Sequence, residues 1–237
     1  MHIVSLMAHQ DDEMTCLGTM LKCRARGDQL HFITVTDGSK GFVQNPDIAR
    51  ADAASIRHAE MLALASAVGA DYFNLGEPDE FLFDTPAVRI AVIEAIRRTH
   101  ADVIFTHFEQ DYNLDHITVS SLVRHCAMQA CLPVLPTESP VLAAPPAIFL
   151  TEPVGPFAFT PSHYVDITHQ QEEKSKLLLH HVSQNEAMAK AAGVASTLGA
   201  LCDRVTSFRG WQVGCQYAEA FVPLSARGAI KPYSVLP

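Results

Sequence analysis

Three consecutive acidic residues and a histidine follow the first apolar segment of the chain. The stretch "MAHQDDEMTCLG" (7–18) places His9, Asp11, Asp12 and Glu13 side by side or nearly so. Adjacent carboxylates repel one another, and a bound cation relieves that repulsion. An imidazole and a carboxylate spaced as His9 and Asp12 supply two of the ligands that zinc takes in proteins. The pattern indicates a metal site, although the same acids are also typical of a polar loop that caps a helix.

A second group of candidate ligands follows a later apolar segment. The stretch "THFEQDYNLDH" (106–116) offers a third ligand, the candidates being His107, Glu109, Asp111, Asp115 and His116. Two histidines, one carboxylate and an open position are typical of a catalytic zinc site, because the open position holds a water whose pKa falls to about 7. In such a site Asp11 is placed to accept the proton of that water. His107 is more typical of a hydrogen-bonded core histidine.

Apolar runs and helical periodicity alternate along the chain and predict the elements that position these residues. Strands are predicted at 2–8, 30–38, 71–76, 101–108 and 147–153, and helices at 12–27, 50–69, 86–100 and 115–132. The C-terminal part predicts a strand at 163–168, one helix at 170–193 and a strand at 213–224. We therefore expect an α/β, Rossmann-like three-layer fold, with a mostly parallel sheet, helices on both faces and a single domain over 1–237.

The expected topology also predicts where the two polar groups lie. In an open parallel sheet, ligands bind beyond the carboxyl ends of the strands, at the point where the strand order reverses. The first and fourth strands are neighbours at that point, so their carboxyl ends would bring the two groups of acids and histidines face to face.

Charge and composition exclude several classes of partner. The formal net charge is −9 and Lys and Arg form no cluster, so no nucleic-acid partner is expected. The N-terminus has no signal-peptide pattern and no apolar run is long enough to span a membrane, which indicates a cytoplasmic protein without a membrane partner. The six cysteines are scattered without a C-x-x-C pair, as expected for reduced thiols. The first strand lacks a glycine-rich phosphate loop, which disfavours a nucleotide cofactor.

Taken together, the two polar groups resemble the signature of a known family. "AHQDDE" (8–13) with the later "DYNLDH" (111–116) is similar to the LmbE/PIG-L family of zinc-dependent deacetylases, whose signature is A-H-P-D-D-E followed by H-x-D-H. Further similar stretches are "TDGSKG" (36–41), "RHAEMLALASAVG" (57–69), "GEPD" (76–79), "HHVSQ" (180–184) and "YAEAF" (217–221). The resemblance implies that His9, Asp12 and His116 bind Zn²⁺, with Fe²⁺ as the alternative, and that Asp11 is the general base and acid.

Two positions depart from the family pattern. Gln10 replaces the usual proline, and we expect this change to alter only the stiffness of the loop. Asn113 stands where many relatives have the first histidine of H-x-D-H. An amide donates a hydrogen bond to an oxyanion but transfers no proton at neutral pH. We therefore expect Asn113 to act as a catalytic donor, with protonation of the leaving group falling to Asp11 or another residue.

Weaker patterns single out a few more side chains. Asp115 either orients a neighbouring side chain behind the metal or caps a helix. Arg57 and Asp79 match family positions near the substrate pocket, and the alternative for each is a surface or helix-end charge. The pair at 180–181, both histidines, is interpreted as packing or lid residues, and Glu219 as a buried structural carboxylate.

The residues predict a hydrolase, and the family resemblance implies that it removes an acetyl group from a small N-acetylated sugar or sugar conjugate. One alternative is a metal-dependent hydratase or lyase acting on an unsaturated carboxylic acid, which requires basic pocket residues, and only Lys40 and Arg57 are evident. Another is a non-catalytic metal- or carbohydrate-binding protein, against which Asp11 argues. Specificity is expected to reside in the loops 39–49, 77–85 and 133–146, and the sequence leaves a homo-oligomer open.

Overall fold

A seven-stranded sheet forms the centre of the computed structural model, which describes residues 1–155, 157–192 and 197–224. Its strands are β1 (His2–Met7), β2 (Gln29–Thr36), β3 (Asp71–Glu77), β4 (Val103–Thr106), β5 (Ala147–Thr151), β6 (His163–Asp166) and β7 (Ala218–Pro223). They lie in the order β3-β2-β1-β4-β5-β7-β6. The first five are parallel, and β7 is antiparallel to both of its neighbours.

Helices cover both faces of the sheet. They are α1 (Leu17–Ala25), α2 (Arg50–Val68), α3 (Pro86–Arg98), α4 (Leu114–Gln129), α5 (Gln171–Leu177), α6 (Val182–Ala192) and α7 (Leu198–Val213). Successive strand residues point to opposite faces, so Ile3 and Phe105 pack in one core with α1, α2, α5 and α7, while Val4 and Ile104 pack in the other with α3 and α4. This arrangement confirms the predicted three-layer α/β fold with a mostly parallel sheet.

The strand order reverses between β1 and β4. β1 lies between β2 and β4, so the chain winds outward in one direction through β2 and β3 and in the other through β4 and β5. The connections that leave β1 and β4 therefore diverge and open a crevice at the carboxyl edge of the sheet. Both predicted groups of polar residues lie on these two connections.

Three elements differ from the sequence-based expectation. The helix predicted from residue 12 begins at Leu17, because Asp12–Thr15 form a 3-10 turn and the backbone of Cys16 after it is not helical. The helix predicted at 170–193 is divided into α5, a 3-10 turn at Leu178–His180 and α6, and its predicted last residue lies outside the described residues. The predicted final strand begins at Ala218, because α7 occupies the chain up to Val213.

Helix α7 was not predicted, because its buried face is only partly apolar and gives no clear helical periodicity of apolar residues. Besides Leu198 and Cys202, that face contains Thr206, Arg209 and Gly210. Residues 225–237 of the predicted single domain also lie outside the described residues, and the domain count stays a prediction. Within the described part of the chain, no helix combines the length and apolar character needed to cross a membrane.

A buried ion pair fixes the start of α1 to β7 and α5, which lie on or face the same side of the sheet. Lys174 Nζ in α5 donates to Glu219 Oε1 in β7 over 2.8 Å, and each side chain is only 1% exposed. Glu219 also accepts the backbone N–H groups of Gly18 and Thr19, at 2.9 and 2.7 Å, in the first turn of α1. A side chain at Gly18 would lie within 3.0 Å of Glu219 and Ile167, so only glycine fits there. Glu219 thus is the structural carboxylate that the sequence indicated.

Replacing Lys174 with methionine tests the contribution of this pair. Lys174→Met is expected to lower the free energy of unfolding by about 3–5 kcal/mol, because it leaves the Glu219 carboxylate buried without its cation. Urea unfolding followed by circular dichroism measures the change. The control is Lys176→Met, in the same helix, whose pair with Glu172 is exposed and should not affect the urea midpoint. Equal midpoints for Lys174→Met and the wild type would contradict the assignment.

Candidate metal centre

Three predicted ligands meet in the crevice between β1 and β4. His9 follows β1, Asp12 opens the 3-10 turn, and His116 lies in the first turn of α4. His9 Nδ1 is 3.1 Å from His116 Nε2, and Asp12 lies 3.3 Å from the first and 3.4 Å from the second of these nitrogens. Ligands about 2.0–2.1 Å from a tetrahedral ion lie roughly 3.3 Å from one another. The donor atoms and their spacing therefore fit a divalent metal ion.

A carboxylate lies behind each of the two imidazoles. Asp79 Oδ1 is 3.1 Å from His9 Nε2, and Asp111 Oδ2 is 3.1 Å from His116 Nδ1. Asp115 Oδ2 lies 3.5 Å from the same nitrogen of His9. A carboxylate in this position fixes the ring orientation and makes the opposite nitrogen a better metal ligand. The carboxylate behind His116 is thus Asp111, which the sequence offered only as a candidate ligand.

The crevice favours positive charge at the ligand atoms. Burial opposes protonation of His9, but Asp12, Asp115 and Asp79 raise its pKa well above the usual range. The pKa of Asp12 is held well below its usual range, because the neighbouring imidazoles, His116 foremost, outweigh the burial that would raise it. The same field that favours an imidazolium favours a bound cation.

His107 packs behind the His116 ring and does not line the pocket. Its Nε2 accepts the backbone N–H of Ala8 at 2.9 Å, and its ring stacks on His116 with the centroids 4.0 Å apart. Burial lowers the pKa of His107 to about 4, so the ring is neutral at physiological pH. His107 is therefore the hydrogen-bonded core histidine that the sequence favoured, and it orients the His116 ring.

Asp11 lies beside the ligand cluster in a strained conformation. Its φ of 151° is unusual for a residue other than glycine, and strain of this kind persists only where neighbours hold it. Arg57 Nη2 donates to Asp11 Oδ1 over 2.7 Å and to the Gln10 carbonyl over 2.6 Å. Burial raises the pKa of Asp11 even though Arg57 opposes that shift. The carboxylate is thus held by one oxygen and has an increased affinity for a proton.

Asn113 caps helix α4 as well as facing the pocket. Its Oδ1 accepts the N–H of Asp115 at 2.7 Å and of His116 at 3.4 Å, and its Nδ2 donates to Glu80 Oε1 over 3.2 Å. Asp115 is not the cap; its carboxylate accepts the N–H of Glu80 and Leu82, at 2.7 and 3.2 Å. One hydrogen of the Asn113 amide remains for a ligand, because Glu80 occupies the other.

Gln10 does more than change the stiffness of its loop. Its side chain is fully buried, and Nε2 donates to the Thr36 carbonyl over 3.4 Å. A side chain at Gly38, whose φ is +65°, would collide with Gln10 Oε1. The expectation that this departure affects stiffness alone was therefore wrong, because a proline ring could not make these contacts.

These residues line a pocket of about 310 Å³. Its walls combine acidic side chains near the ligand cluster with an apolar wall from α6. The lining consists of His9, Asp11, Asp12, Lys40, Gly41, Val43, Arg57, Asp79, Glu80, Tyr112, Asn113, His116, Gln184, Ala187, Met188 and Ala191. All predicted site residues line it except Asp115, which lies directly behind. The substrate-binding role of Arg57 and Asp79 stays a prediction, since the contacts described here are with Asp11 and His9.

Two of the three loops expected to set specificity contribute to the pocket. Residues of 39–49 and of 77–85 line it, whereas none of 133–146, all of them described, does so. Helix α4 runs from the carboxyl edge of the sheet to the amino edge, so the loop that follows it lies at the edge of the sheet away from the pocket. There Arg97 donates to the carbonyls of Leu132 and Leu135, at 2.6 and 3.3 Å. The expectation that 133–146 helps to set specificity was therefore wrong, since this loop does not line the pocket.

Several pocket residues were missed from the sequence. Glu80 and Tyr112 adjoin the predicted residues Asp79 and Asn113, and their position next to a motif was the available signal. Gln184 and the apolar residues of α6 come from the distant "HHVSQ" segment and the helix that continues it. His181 of that segment is fully buried, with its Nε2 2.8 Å from Glu13 Oε1, which fits the packing role expected of it.

Comparison with known proteins identifies the family. Residues 4–127 match the family model PIG-L, described as GlcNAc-PI de-N-acetylase, and the chain belongs to this family. A comparison with curated protein sequences returned no significant match.

Solved structures share the fold over almost the whole chain. The conserved protein TT1542 from Thermus thermophilus is 26% identical, with a TM-score of 0.79 and 98% of each chain covered. The N,N'-diacetylchitobiose deacetylase from Pyrococcus horikoshii is 21% identical, with a TM-score of 0.78, covering 94% of this chain and 83% of that one. GalB, the 4-carboxy-2-hydroxymuconate hydratase from Pseudomonas putida, is 19% identical, with a TM-score of 0.78, covering 96% and 98%.

Metal analysis tests the assignment of the ligands. The purified protein is expected to hold about one divalent ion per chain, and His116→Ala is expected to lose it, because two ligands retain the ion poorly. Elemental analysis after dialysis against a weak chelator measures both. His58→Ala, at an exposed histidine of α2, is the control and should keep the ion. Equal metal content in His116→Ala and the wild type would refute the site.

Proposed function

We propose that this protein is a metal-dependent hydrolase that removes the acetyl group from an N-acetylated sugar or sugar conjugate. The observation that carries the proposal is the position of Asp11, a carboxylate with only 13% of its side chain exposed, held by Arg57 beside the cluster of His9, Asp12 and His116. A site that only bound metal or carbohydrate would gain nothing from such a carboxylate, which is costly to bury.

The chain's own residues suit the two proton transfers of amide hydrolysis. A divalent ion held by His9, Asp12 and His116, Zn²⁺ or alternatively Fe²⁺, would polarise the acyl oxygen and lower the pKa of water. Asp11 accepts the proton of the attacking water and passes it to the nitrogen of the leaving amine. Its pKa, raised by burial, favours the first step, because a more basic carboxylate takes up a proton more readily.

Asn113 stabilises the negative charge that develops on the acyl oxygen. Its free amide hydrogen lies in the same pocket as the ligand cluster, and α4 presents its N-terminus there. Both the amide and the N-terminal end of a helix stabilise an oxyanion.

The charge of the pocket favours an acetamide over an unsaturated polycarboxylate. Four lining carboxylates, Asp11, Asp12, Asp79 and Glu80, face the pocket, while the Arg57 guanidinium is engaged by Asp11, the Gln10 carbonyl and Gln184. Among the described lining residues this leaves Lys40 as the cation open to a ligand. Apart from the metal ion, a substrate with several carboxylates would find only Lys40 to pair with, whereas a neutral acetamide needs no cationic side chain and its ammonium product is attracted by the carboxylates. This observation supports the hydrolase rather than the hydratase.

The family description and the shared fold support the sugar part of the proposal. The matching family model is described as a GlcNAc-PI de-N-acetylase, and one structural neighbour is a diacetylchitobiose deacetylase. A cytoplasmic location and self-association remain predictions. A panel of N-acetylated sugars and unsaturated acids, offered to the metal-loaded protein, tests the reaction class: release of acetate supports the hydrolase, and hydration of an acid alone contradicts it.

Variants of the two neighbouring aspartates distinguish the general base from the metal ligand. Asp11→Asn keeps size and hydrogen bonding but accepts no proton, so the metal should stay bound while turnover falls by roughly 10²–10⁴. Asp12→Asn removes a charged ligand, so metal content and activity should fall together and added zinc should restore part of both. Metal content and turnover at saturating zinc are compared. Loss of metal in Asp11→Asn and its retention in Asp12→Asn would show that the two roles are exchanged.

The role of Asn113 is tested with serine, which caps a helix as well as asparagine does. Asn113→Ser keeps the capping oxygen and removes the amide donor, so kcat should fall by about 10²–10³, as for the loss of one oxyanion donor. Thermal unfolding checks that the cap is retained. Unchanged kinetics in a stable variant would exclude Asn113 from the mechanism, and Asn113→His shows whether an imidazole at this position raises kcat.

A further inference from the structure

A segment from the C-terminal half of the chain contacts the metal-binding loop. This segment, residues 181–184, lies beyond the part that matches the family model. Its first residue, His181, pairs with Glu13 at 2.8 Å, and its last, Gln184, accepts from Arg57 Nη1 over 2.9 Å. Both contacts reach the stretch 10–13, the first directly and the second through Arg57.

Gln184, Arg57 and Asp11 form a continuous chain of hydrogen bonds. Arg57 is 2% exposed, and its guanidinium donates through Nη1 to Gln184 and through Nη2 to Asp11 and the Gln10 carbonyl. Gln184 therefore fixes the rotation of the guanidinium about its Nε–Cζ bond, because it occupies the end that faces away from Asp11. The unfavourable backbone of Asp11 depends on the contacts at the other end.

The helix that carries Gln184 also forms a wall of the pocket. Ala187, Met188 and Ala191 of α6 line it, one and two turns beyond Gln184. The start of α6 is tied to α2, because Ser183 donates through its backbone and its hydroxyl to Glu60, at 2.7 and 2.6 Å, one turn from Arg57. Gln184, Arg57 and the pocket wall formed by α6 are thus held together by hydrogen bonds between α6 and α2.

We infer that Gln184 is a positioning residue for Asp11. It holds Arg57 so that Asp11 Oδ1 is fixed and Oδ2 is left to take the proton of the attacking water. This inference rests on the proposed function, in which Asp11 is the base. Loss of Gln184 frees the guanidinium, Asp11 relaxes from its strained conformation, and the proton transfer slows while the ligand cluster is unaffected.

Isosteric and conservative variants test the inference. Gln184→Met removes the acceptor at almost unchanged size and is expected to lower kcat by about 10–100-fold, since small displacements of a catalytic group have effects of this order. KM should stay within about twofold and metal content should be unchanged. Gln184→Glu restores an acceptor for Arg57 and should recover most of the lost kcat. Lys190→Met, at an exposed position of the same helix, is the control and should match the wild type.

A second measurement needs no turnover. In protein labelled with ¹⁵N-arginine, NMR detects rotation of the Arg57 guanidinium, which should be restricted in the wild type and in Gln184→Glu and freed in Gln184→Met. Unchanged kcat, lost metal or unchanged Arg57 rotation in Gln184→Met would each overturn the inference. The two claims can fail separately. If the wild type releases no acetate from any acetamide, the proposed function fails. In that case, an Arg57 guanidinium that rotates freely only in Gln184→Met would still support the chain of hydrogen bonds from Gln184 to Asp11.

Discussion

Balancing buried negative charge is the constraint on which the crevice depends. Several carboxylates have buried side chains there, and an unpaired buried charge is very costly. Backbone N–H groups solvate three of them: Lys40 donates to Asp79 over 2.6 Å, Glu80 to Asp115 over 2.7 Å, and Asn113 to Asp111 over 3.1 Å. Each donor lies on a loop that forms the pocket wall. The shape of the pocket is therefore a consequence of how its acids are neutralised.

The same constraint explains why the two halves of the chain cannot be separated. The loop with the candidate ligands His9 and Asp12 lies between β1 and α1, and Lys174 and Glu219, both from the C-terminal half, fix the first turn of α1 on the same face of the sheet. His181 and Gln184 hold the loop from the pocket side. A loop with a strained residue and adjacent charges would otherwise relax, so its rigidity comes from elements distant in sequence.

The sequence predicted most of the fold and the centre of the site, and the limits follow from the kind of signal available. Buried parallel strands such as β1 are continuous apolar runs, and His9, Asp12 and His116 lie in short motifs, so both are local patterns. Gln184 and Arg57 are 127 residues apart, and no local pattern indicates their contact. The capping role of Asn113 does follow from a local pattern, because asparagine just before a helix is a common N-cap.

In the proposed hydrolase reaction, the asparagine at position 113 leaves the acid-base chemistry to a single group. Its oxygen is occupied by the first turn of α4 and one amide hydrogen by Glu80, so it can polarise an acyl oxygen but supplies no proton. His107 is neutral and faces Ala8 rather than the pocket, and the imidazoles of His9 and His116 have their nitrogens directed at the ligand cluster and at carboxylates. Asp11 is then the group left to move protons in both directions. A carboxyl that serves as base and then as acid needs a raised pKa and a fixed orientation, and burial supplies the first while Arg57 supplies the second.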